Sequence, residues 1–383
     1  MTVGVLGYPT TLDPYSPVAS DLTRAIARPV YPSLYRLDPS GRPVGDLAAS
    51  LDTEGDTAVV RIRRARWSDS TPVRASDVVA TVRRAREPSG LAGLIAEARG
   101  PRVVALRGFG GRGPDETLAI AAPILPDGRP GGPYGGPFVV RETKPGLKVV
   151  LGRNPRYHGD PSALDRVDVV ATAGLEIAIG LLERGDLDAA ALPMSVNLDE
   201  RLDALGIPFS RTESAEEIYL DLSELDPARR LAVARAIRPA PIFGGLIRDD
   251  GEPFPLVVPE GGGSVGDVRL AAPSGDELLE LIQRILQRQL QNAENTAELV
   301  TVEAGTFYGP WALDAPVDIA VRRAVALPGR QTWDRAGASF EALPLFSVDA
   351  VIARGPRAGG VSGPAADGPL WDVQSWFVQP GSG

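Results

Sequence analysis

The sequence predicts an α/β fold, because segments typical of strands alternate with segments typical of helices along much of the chain. The clearest example runs from a strand at 167–170 through a helix at 175–183 to a strand at 187–192. A strongly amphipathic helix is predicted at 276–294, with apolar side chains three and four residues apart. The 43 glycines and 36 prolines indicate many turns and argue against a helical bundle.

Strand and helix patterns continue on both sides of this stretch. Further strands are expected at 2–7, 34–37, 58–63, 117–121, 218–222, 267–273, 298–302 and 318–321, followed by an apolar run at 340–351. A helix should begin at Ser20 or Asp21, a second should span 76–85 with Ser76 as its N-cap, and a third should span 228–237. The segments 138–140 and 147–151 form a predicted hairpin around Lys144-Pro145-Gly146.

The composition bounds the chemistry. With 383 residues, of which 43% are hydrophobic and 23% charged, the chain can bury a large core and is long enough for two or three domains or lobes. It contains no cysteine and one histidine, His158. Disulfides, thiolate nucleophiles, zinc ribbons and iron–sulfur clusters are therefore excluded, and a serine–histidine triad could use His158 alone. Binding is favoured over catalysis.

The charge balance argues against a nucleic-acid partner. The chain carries 40 basic and 49 acidic residues, a net charge of -9, and only Lys144 and Lys148 are lysines. We attribute the remaining 38 arginines to codon bias in a GC-rich genome. No transmembrane segment is apparent, and 2–7 resembles a strand and not a signal peptide, so we expect a cytoplasmic protein or a chain beginning at its mature domain.

Several local patterns suggest chemistry but have simpler interpretations. The glycine-rich segment 108–113 lacks the pattern of a phosphate-binding loop and is interpreted as a surface loop. His158 lies in a predicted loop with no evident partner and is interpreted as a surface residue, although a hydrolase using it stays open as a rival hypothesis. Aromatic residues concentrate late in the chain, where they could form core or line a ligand cleft: Tyr219, Phe307, Tyr308, Trp311 and Trp333.

Several segments taken together resemble the family 5 extracellular solute-binding proteins, the oligopeptide-, dipeptide- and nickel-binding components of ABC importers. The segment 63–78 is the most specific match, because it is close to the signature Arg-x-x-x-x-Trp-x-Asp-Gly-x-Pro-x-x-Ala-x-Asp-Val. Leu12-Asp13-Pro14, Gly135-Gly136-Pro137-Phe138, Asn154-Pro155-Arg156-Tyr157 and Gly185-Asp186-Leu187-Asp188 match further family motifs in the same order. The similarity extends over almost the entire chain.

The resemblance implies a two-lobed type II periplasmic-binding-protein fold, with an extra subdomain in lobe 1 and a shortened lobe 2. The expected lobe 1 core comprises 1–31, 145–215 and 322–383, with 32–144 as its inserted subdomain and 216–321 as lobe 2. Ligand would lie between the lobes, which would close on it by a hinge. The chain is short for the family, and the missing material is expected between Ile237 and Val268.

The expected ligand differs from that of the peptide-binding members. The acidic group that holds a peptide's ammonium in those members is absent after 318–321, where Arg322 and Arg323 stand, and Pro32 replaces an early glutamate. A free peptide N-terminus is therefore a poor ligand candidate. The two arginines could bind a carboxylate or a phosphate, or could face solvent. Direct nickel ligation is not expected with one histidine, whereas a chelated metal stays open.

We therefore predict an extracytoplasmic, monomeric receptor that captures a small peptide-like, anionic or chelate ligand and delivers it to an ABC permease, without a cofactor or catalysis. The alternative is a sensing or regulatory domain of the same fold that has lost transport. The candidate cleft residues, chosen at predicted strand ends and hinge crossings, are Tyr8, Thr11, Tyr31, Tyr134, Tyr219, Asp221, Arg322 and Trp333.

Overall fold

A computed structural model provides the structure of the chain. It describes residues 1–9, 11–38, 41–86, 89–246, 254, 258, 264–308, 317–325, 340–362 and 368–379. Within these residues the architecture is α/β, as the alternation of patterns predicts. No helix in this described part is long and apolar enough to cross a membrane.

One large mixed sheet organises the molecule. Its strands are β1 (Thr2–Leu6), β8 (Phe138–Lys144), β9 (Lys148–Arg153), β10 (Arg166–Thr172), β11 (Ala189–Leu192), β12 (Phe209–Asp221), β13 (Val268–Ser274), β14 (Ala297–Glu303), β15 (Ile319–Val325) and β16 (Ala342–Arg354). They lie in the order β14-β13-β15-β12-β16-β11-β1-β10-β9-β8. Two parallel groups, β1 with β10 and β11, and β13 with β14 and β15, are separated by the antiparallel pair β12 and β16.

Smaller sheets and helices surround the large sheet. The remaining strands are β2 (Tyr35–Leu37), β3 (Pro43–Gly45), β4 (Ala48–Glu54), β5 (Thr57–Ile62), β6 (Ile95–Gly100), β7 (Val103–Arg107), β17 (Ala358–Gly359) and β18 (Phe377–Val378). The helices are α1 (Asp21–Ala27), α2 (Ala75–Arg84), α3 (Pro114–Ala119), α4 (Leu175–Glu183), α5 (Leu198–Ala204), α6 (Pro227–Ala236), α7 (Pro239–Leu246), α8 (Glu277–Asn292) and α9 (Ala304–Phe307). Most of the predicted elements are confirmed, including the hairpin of β8 and β9 and the amphipathic α8.

The buried apolar side chains form two main clusters. The first core packs side chains mainly from residues 3–169 and 352–376, so it joins the two ends of the chain. The second core packs side chains from residues 175–353. The strand β16 contributes to both cores, with Ile352 in the first and Phe346 and Val348 in the second, and it pairs with β11 beyond its pairing with β12. The side chains that β12 contributes to a core belong to the second core. The boundaries predicted for the lobes stay a prediction.

A four-stranded antiparallel sheet, β4-β5-β7-β6, stands apart from the large sheet and contributes to the first core. The helix α2 contacts it, and the Trp67 side chain is buried where the two meet. The Trp67 indole donates to Asp77 Oδ2 at 3.3 Å, and the same carboxylate accepts the Arg74 amide at 2.8 Å and the Asp127 amide at 2.9 Å. The tryptophan and aspartate of the signature motif therefore have a structural role.

Two predicted details are wrong. The segment 117–121 is not a strand. Pro114 opens the helix α3, which ends at Ala119, and the first three residues of the predicted strand form the buried last turn of this helix. Ser76 does not cap α2: the helix begins at Ala75, and the third residue, Asp77, reaches back to the Arg74 amide instead. The prediction of material lost between Ile237 and Val268 falls largely on residues outside the described ranges.

Two other motifs of the resemblance meet in space. The Asn154 amide group donates to the Gly136 carbonyl at 2.8 Å, and the Asn154 backbone amide donates to the Pro137 carbonyl at 2.8 Å. A Cβ atom on Gly136 would lie 2.5 Å from the Pro29 carbonyl oxygen, so only glycine allows this close approach. The turn at Gly136 and Pro137 therefore joins the start of β8 to the loop after β9.

We expect Asp77→Ala to lower the free energy of unfolding by about 3 kcal/mol, because it removes the acceptor of three hydrogen bonds, two of them from backbone amides. Chemical denaturation measures the change. The exposed Asp52 on β4 is the matched control, and Asp52→Ala should stay within about 0.5 kcal/mol of the parent. Equal effects of the two substitutions would contradict this role of Asp77.

Candidate functional site

A cleft of about 300 Å³ lies between the two cores. On one side it is lined by the end of β1 from Val5 to Tyr8 and by the first turns of α1. On the other side it is lined by the end of β11, by β12 at Ala215–Tyr219 and by β15 at Arg322–Ala324. The cleft therefore separates groups that belong to different cores of the molecule.

The sheet topology explains why the cleft lies at the ends of the parallel strands. The parallel strands β1 and β11 end at the same edge, and the parallel strands β13 and β15 also end beside the cleft. A crevice at the carboxyl ends of parallel strands, where the strand order changes direction, is the usual ligand position in open α/β sheets. Here β12 and β16 occupy the position between the two parallel groups.

A buried charge cluster lies in the wall of the cleft, centred on Arg323 of β15. Its guanidinium donates to Asp276 through Nε and Nη2, each at 3.1 Å, and to Glu216 through Nη1 at 2.5 Å. Its Nη2 also donates to the Met194 carbonyl at 3.2 Å. Asp276 is fully buried and caps α8 by accepting the Leu279 amide at 3.2 Å. One cation thus connects β12, β15 and the start of α8.

Burial and pairing act on these groups in opposite directions. Burial lowers the pKa of Arg323, but the charges of Asp276 and Glu216 raise it by more, so it lies above its usual range. Burial raises the pKa of Glu216, and Arg323 offsets this only in part. Two carboxylates share one guanidinium, which explains why Arg323 stays charged while Glu216 takes up a proton more readily than an exposed glutamate.

Arg322, the next residue of β15, has separate partners. Its Nε donates to Asp221 Oδ2 at 2.8 Å, and its guanidinium carbon lies 5.0 Å from the centre of the Phe307 ring. The residue is only 7% exposed. Tyr308, whose ring meets that of Phe307 edge to face at 5.1 Å, also lines the cleft, and burial raises the pKa of its hydroxyl. Neither arginine therefore offers an unpaired guanidinium to the cleft.

The structure brings some of the predicted site residues together. Tyr8, Tyr219 and Arg322 all line the cleft, with Tyr219 directly opposite Arg322 in the pairing of β12 with β15. Asp221 lies beside them as the ion-pair partner of Arg322. Whether these residues touch ligand stays a prediction.

Other predicted site residues lie elsewhere. The Thr11 hydroxyl oxygen accepts the Asp13 amide at 3.1 Å, and Thr11 is not among the residues lining the cleft. Tyr31 is buried in the first core, where its hydroxyl oxygen accepts the Gly131 amide at 2.9 Å and burial raises its pKa to about 12. The Tyr134 ring packs against it with ring centres 5.5 Å apart. Trp333 lies outside the described residues.

The sequence did not indicate the acidic half of the charge cluster. Glu216 precedes the predicted strand 218–222, and the actual strand β12 extends from Phe209 to Asp221, so the residue falls inside it. Asp276 was recognisable only as the residue at the start of a helix, a position where aspartate usually serves as a cap. The signal that could have been used is the double arginine itself, since buried guanidiniums require carboxylate partners.

His158 is not the surface residue that the sequence suggested. Its side chain is 5% exposed, and its Nε2 lies 2.9 Å from Asp46 Oδ1. Asp46 Oδ2 in turn accepts the Ser33 amide at 2.8 Å. The loop after β9 folds back against the segment around Asp46, which explains the burial. In the described part of the chain no serine hydroxyl bonds to either ring nitrogen, so no nucleophile–base pair forms there.

No group of three or more metal-ligating side chains that could hold a metal ion occurs among the described residues. The polar groups of the cleft are instead the paired carboxylates and guanidiniums, the hydroxyls of Tyr8, Tyr219 and Tyr308, and backbone at strand ends. This arrangement can hold and orient a small solute between apolar walls.

We expect Arg323→Met to lower the free energy of unfolding by about 3–5 kcal/mol at pH 8, because it leaves Glu216 and Asp276 buried without their cation. The deficit should shrink toward pH 5, since burial already raises the pKa of Glu216 and loss of Arg323 raises it further, so that protonation removes the buried charge. Urea denaturation at both pH values measures this. Arg61, which is exposed, is the control position. A loss of stability in Arg323→Met that does not change with pH would show that the buried carboxylates do not cause it.

We expect Asp46→Asn to flatten the loss of stability on acidification. Burial raises the pKa of Asp46, but His158, Arg28 and the Ser33 amide lower it by more, so the net pKa is below its usual range. Such a carboxylate stabilises the fold above its unfolded pKa, and this contribution is lost as pH falls through the lowered folded pKa. The free energy of unfolding should therefore fall less between pH 6 and pH 3 in Asp46→Asn than in the parent or in Asp52→Asn. Identical slopes would refute this.

Comparisons with known proteins show which solved structures share this architecture. No protein-family model matches the chain, and no curated protein matches it. Solved structures do match. AgaA of A. tumefaciens R10, solved with agropinic acid, is 17% identical with a TM-score of 0.81, and the match covers 100% of this chain and 99% of that one. AppA of Bacillus subtilis, solved with a nonapeptide, is 17% identical with a TM-score of 0.79, covering 99% of each chain.

A third structure, NikZ of Campylobacter jejuni with Ni(L-His), is 17% identical with a TM-score of 0.76, and the match covers 98% of this chain and 99% of that one. The three proteins hold chemically different ligands, so the likeness carries no information about which solute fits this cleft. It does confirm the architecture that the sequence resemblance implied. The chain has the two-lobed α/β fold of the periplasmic solute-binding proteins.

Proposed function

We propose that the protein is an extracytoplasmic receptor that captures a small solute in the cleft between its two cores and delivers it to an ABC importer. The observation that carries this proposal is the cleft itself, which lies at the carboxyl ends of two parallel strand groups and has walls from both cores. The solved proteins of this fold described above were determined with agropinic acid, a nonapeptide and Ni(L-His), which supports the same function. No observation favours the regulatory alternative.

The two strands that connect the cores support capture by closure. Between Thr212 and Glu216 the pairing of β12 with β16 shifts register, which makes a bulge beside the cleft. A bulge in a strand that crosses between two cores is a point where the backbone can bend while the ladders on both sides stay paired. Ligand that contacts both walls would hold the two cores together.

The charges in the cleft limit the solute. The cleft is lined by three carboxylates and three guanidiniums: Asp21 pairs with Arg24, Glu216 and Asp276 share Arg323, and Arg322 is held by Asp221 beside the cleft. An anionic ligand would have to compete with these carboxylates for the arginines, at the cost of leaving a carboxylate buried and unpaired. We therefore favour a neutral or cationic solute over the carboxylate or phosphate that the double arginine suggests in sequence.

The volume favours a compact solute. A cleft of about 300 Å³ is at the lower end of the range for small-molecule sites, so it suits a ligand the size of an amino acid, a short peptide or a compact conjugate. Catalysis is not proposed, because the single histidine is bonded to Asp46 and does not line the cleft. We propose that the protein acts as a monomer with a permease as its partner.

We expect Val18→Trp to abolish ligand binding, because the indole would fill the cleft from the loop before α1. Native mass spectrometry of freshly purified protein, followed by thermal-shift screening of amino acids, dipeptides, amino acid–sugar conjugates and nickel–histidine, identifies a ligand for the parent chain. A ligand at one hundred times its Kd stabilises the native state by about 2.7 kcal/mol. Val18→Trp should lose this stabilisation.

The control is Ile177→Trp, which adds the same bulk at an exposed position of α4 outside the cleft and should bind as the parent does. Absence of any stabilising solute would contradict the receptor function. Stabilisation that survives in Val18→Trp would place the ligand elsewhere on the molecule.

A further inference from the structure

A second concave surface lies outside the cleft and is strongly basic. It is a groove of about 920 Å³ beside the four-stranded sheet, and no carboxylate side chain is among its lining residues. We call it the arginine groove after the five arginines that line it: Arg64, Arg66, Arg74, Arg102 and Arg156. In a chain of net charge -9, five guanidiniums in one groove are an unusual local excess.

These arginines differ from those of the cleft in having no carboxylate partner within the described residues. The arginines of the cleft are each held by an acid, whereas none of the five forms an ion pair within the described residues. Asp69 interacts electrostatically with Arg156, and its carboxylate accepts the Thr71 amide at 2.9 Å and the Thr71 hydroxyl at 2.6 Å. The protein therefore offsets the positive charge of the groove only in part.

The local backbone explains how the groove acquires its charge. Arg64 and Arg66 stand on either side of buried Ala65, so the alternation of an extended chain exposes both of them. Arg63, on the other side, is held by the Gly45 carbonyl at 3.2 Å and the Ala48 carbonyl at 3.0 Å. Arg74 immediately precedes the ten-residue helix α2, and because Asp77 already accepts its backbone amide, its contribution to the groove is the charge of its side chain.

Ser70 holds two of the arginines in place. Its carbonyl accepts Arg66 Nη1 at 2.7 Å, and its hydroxyl oxygen accepts Arg156 Nε at 2.7 Å. Ser70 has a φ of 77°, in the left-handed region that favours glycine, and glycine is the residue of the signature motif at this position. A serine here costs backbone strain but supplies the hydroxyl that orients Arg156.

His158 is the second sign of a ligand site. Its side chain lines the groove and is 5% exposed, yet its Nδ1 has no hydrogen-bond partner in the described part of the structure. Buried polar atoms without a partner are rare in proteins, because each one costs the free energy of a lost hydrogen bond. Six other buried side-chain atoms of the described residues also lack a hydrogen-bond partner, so this nitrogen points to a ligand only together with the arginines beside it. When Nε2 donates to Asp46, Nδ1 of the neutral ring is an acceptor, and it can bond the O–H of a hydrogenphosphate group.

We propose that the arginine groove binds a multivalent, phosphate-bearing anion at a site independent of the cleft. A guanidinium donates two parallel hydrogen bonds to a phosphate, and most donors of the five arginines are unused. Five positive charges in this volume require a compact ligand of high charge density. A short phosphate chain supplies that density, whereas a carboxylate-bearing peptide of the same volume carries fewer charges.

Inorganic tripolyphosphate is the probe, and its binding to the full chain is measured by isothermal titration calorimetry at low and at physiological salt. We expect binding that weakens with salt and a Kd at least about tenfold higher in the triple variant Arg64→Gln/Arg74→Gln/Arg102→Gln. The matched control, Arg61→Gln/Arg83→Gln/Arg107→Gln, removes the same charge from exposed positions outside the groove and should bind as the parent does.

Further arms separate the outcomes. Val18→Trp should bind tripolyphosphate unchanged, so the groove can be confirmed even if the cleft binds no solute. Sedimentation with phosphatidylglycerol vesicles, against phosphatidylcholine vesicles, shows whether a lipid headgroup can supply the phosphate, and either source agrees with the proposal. Equal weakening in the two triple variants, or tighter binding of a hexa-aspartate peptide than of tripolyphosphate, would overturn it.

Discussion

The pairing of β12 with β16 is the interaction on which the remaining architecture depends. Each strand has 13 residues, and together they form the centre of the large sheet, with parallel strands attached on both sides. The two parallel strand groups are therefore joined through the pairings of β11 with β16, β16 with β12 and β12 with β15, and the cleft opens where the parallel strands on each side end. Register shifts at Thr212–Glu216 and at Ile218–Tyr219 interrupt the pairing of β12 with β16 beside the cleft. One pair of strands thus connects the two parallel groups.

The chain uses its arginines in two different ways. In the cleft, Arg322 and Arg323 are buried against carboxylates and hold β12, β15 and the start of α8 together. In the arginine groove, five guanidiniums remain without acidic partners. Burial explains the difference, because a buried charge is stable only when paired, whereas an exposed charge is solvated and can stay available to a ligand. The arginine excess alone does not distinguish these roles.

Most of the motifs that carry the family resemblance contribute to the first core, whereas Leu187 of the segment 185–188 packs in the second core. The Trp67 indole and the Asp127 amide both donate to Asp77 of α2, and Gly136 and Asn154 join the start of β8 to the loop after β9. These contacts explain why the motifs predict the fold well and the ligand poorly. The cleft is lined by short stretches from several separate parts of the chain, and no single motif contains more than a few of its residues.

Hydrophobic periodicity, which acts over a few residues, predicted the α/β class and most strands and helices, whereas the two-lobed fold was implied by the family resemblance. Three predicted site residues, Tyr8, Tyr219 and Arg322, line the cleft, but Tyr219 and Arg322 lie within β12 and β15, and their contact with a ligand stays a prediction. Only the tertiary structure decided which charges meet. Glu216 and Asp276 are 60 residues apart in sequence and reach Arg323 through the sheet, and Asp46 reaches His158 across 112 residues. Such pairings depend on strand order and register, which no local pattern specifies.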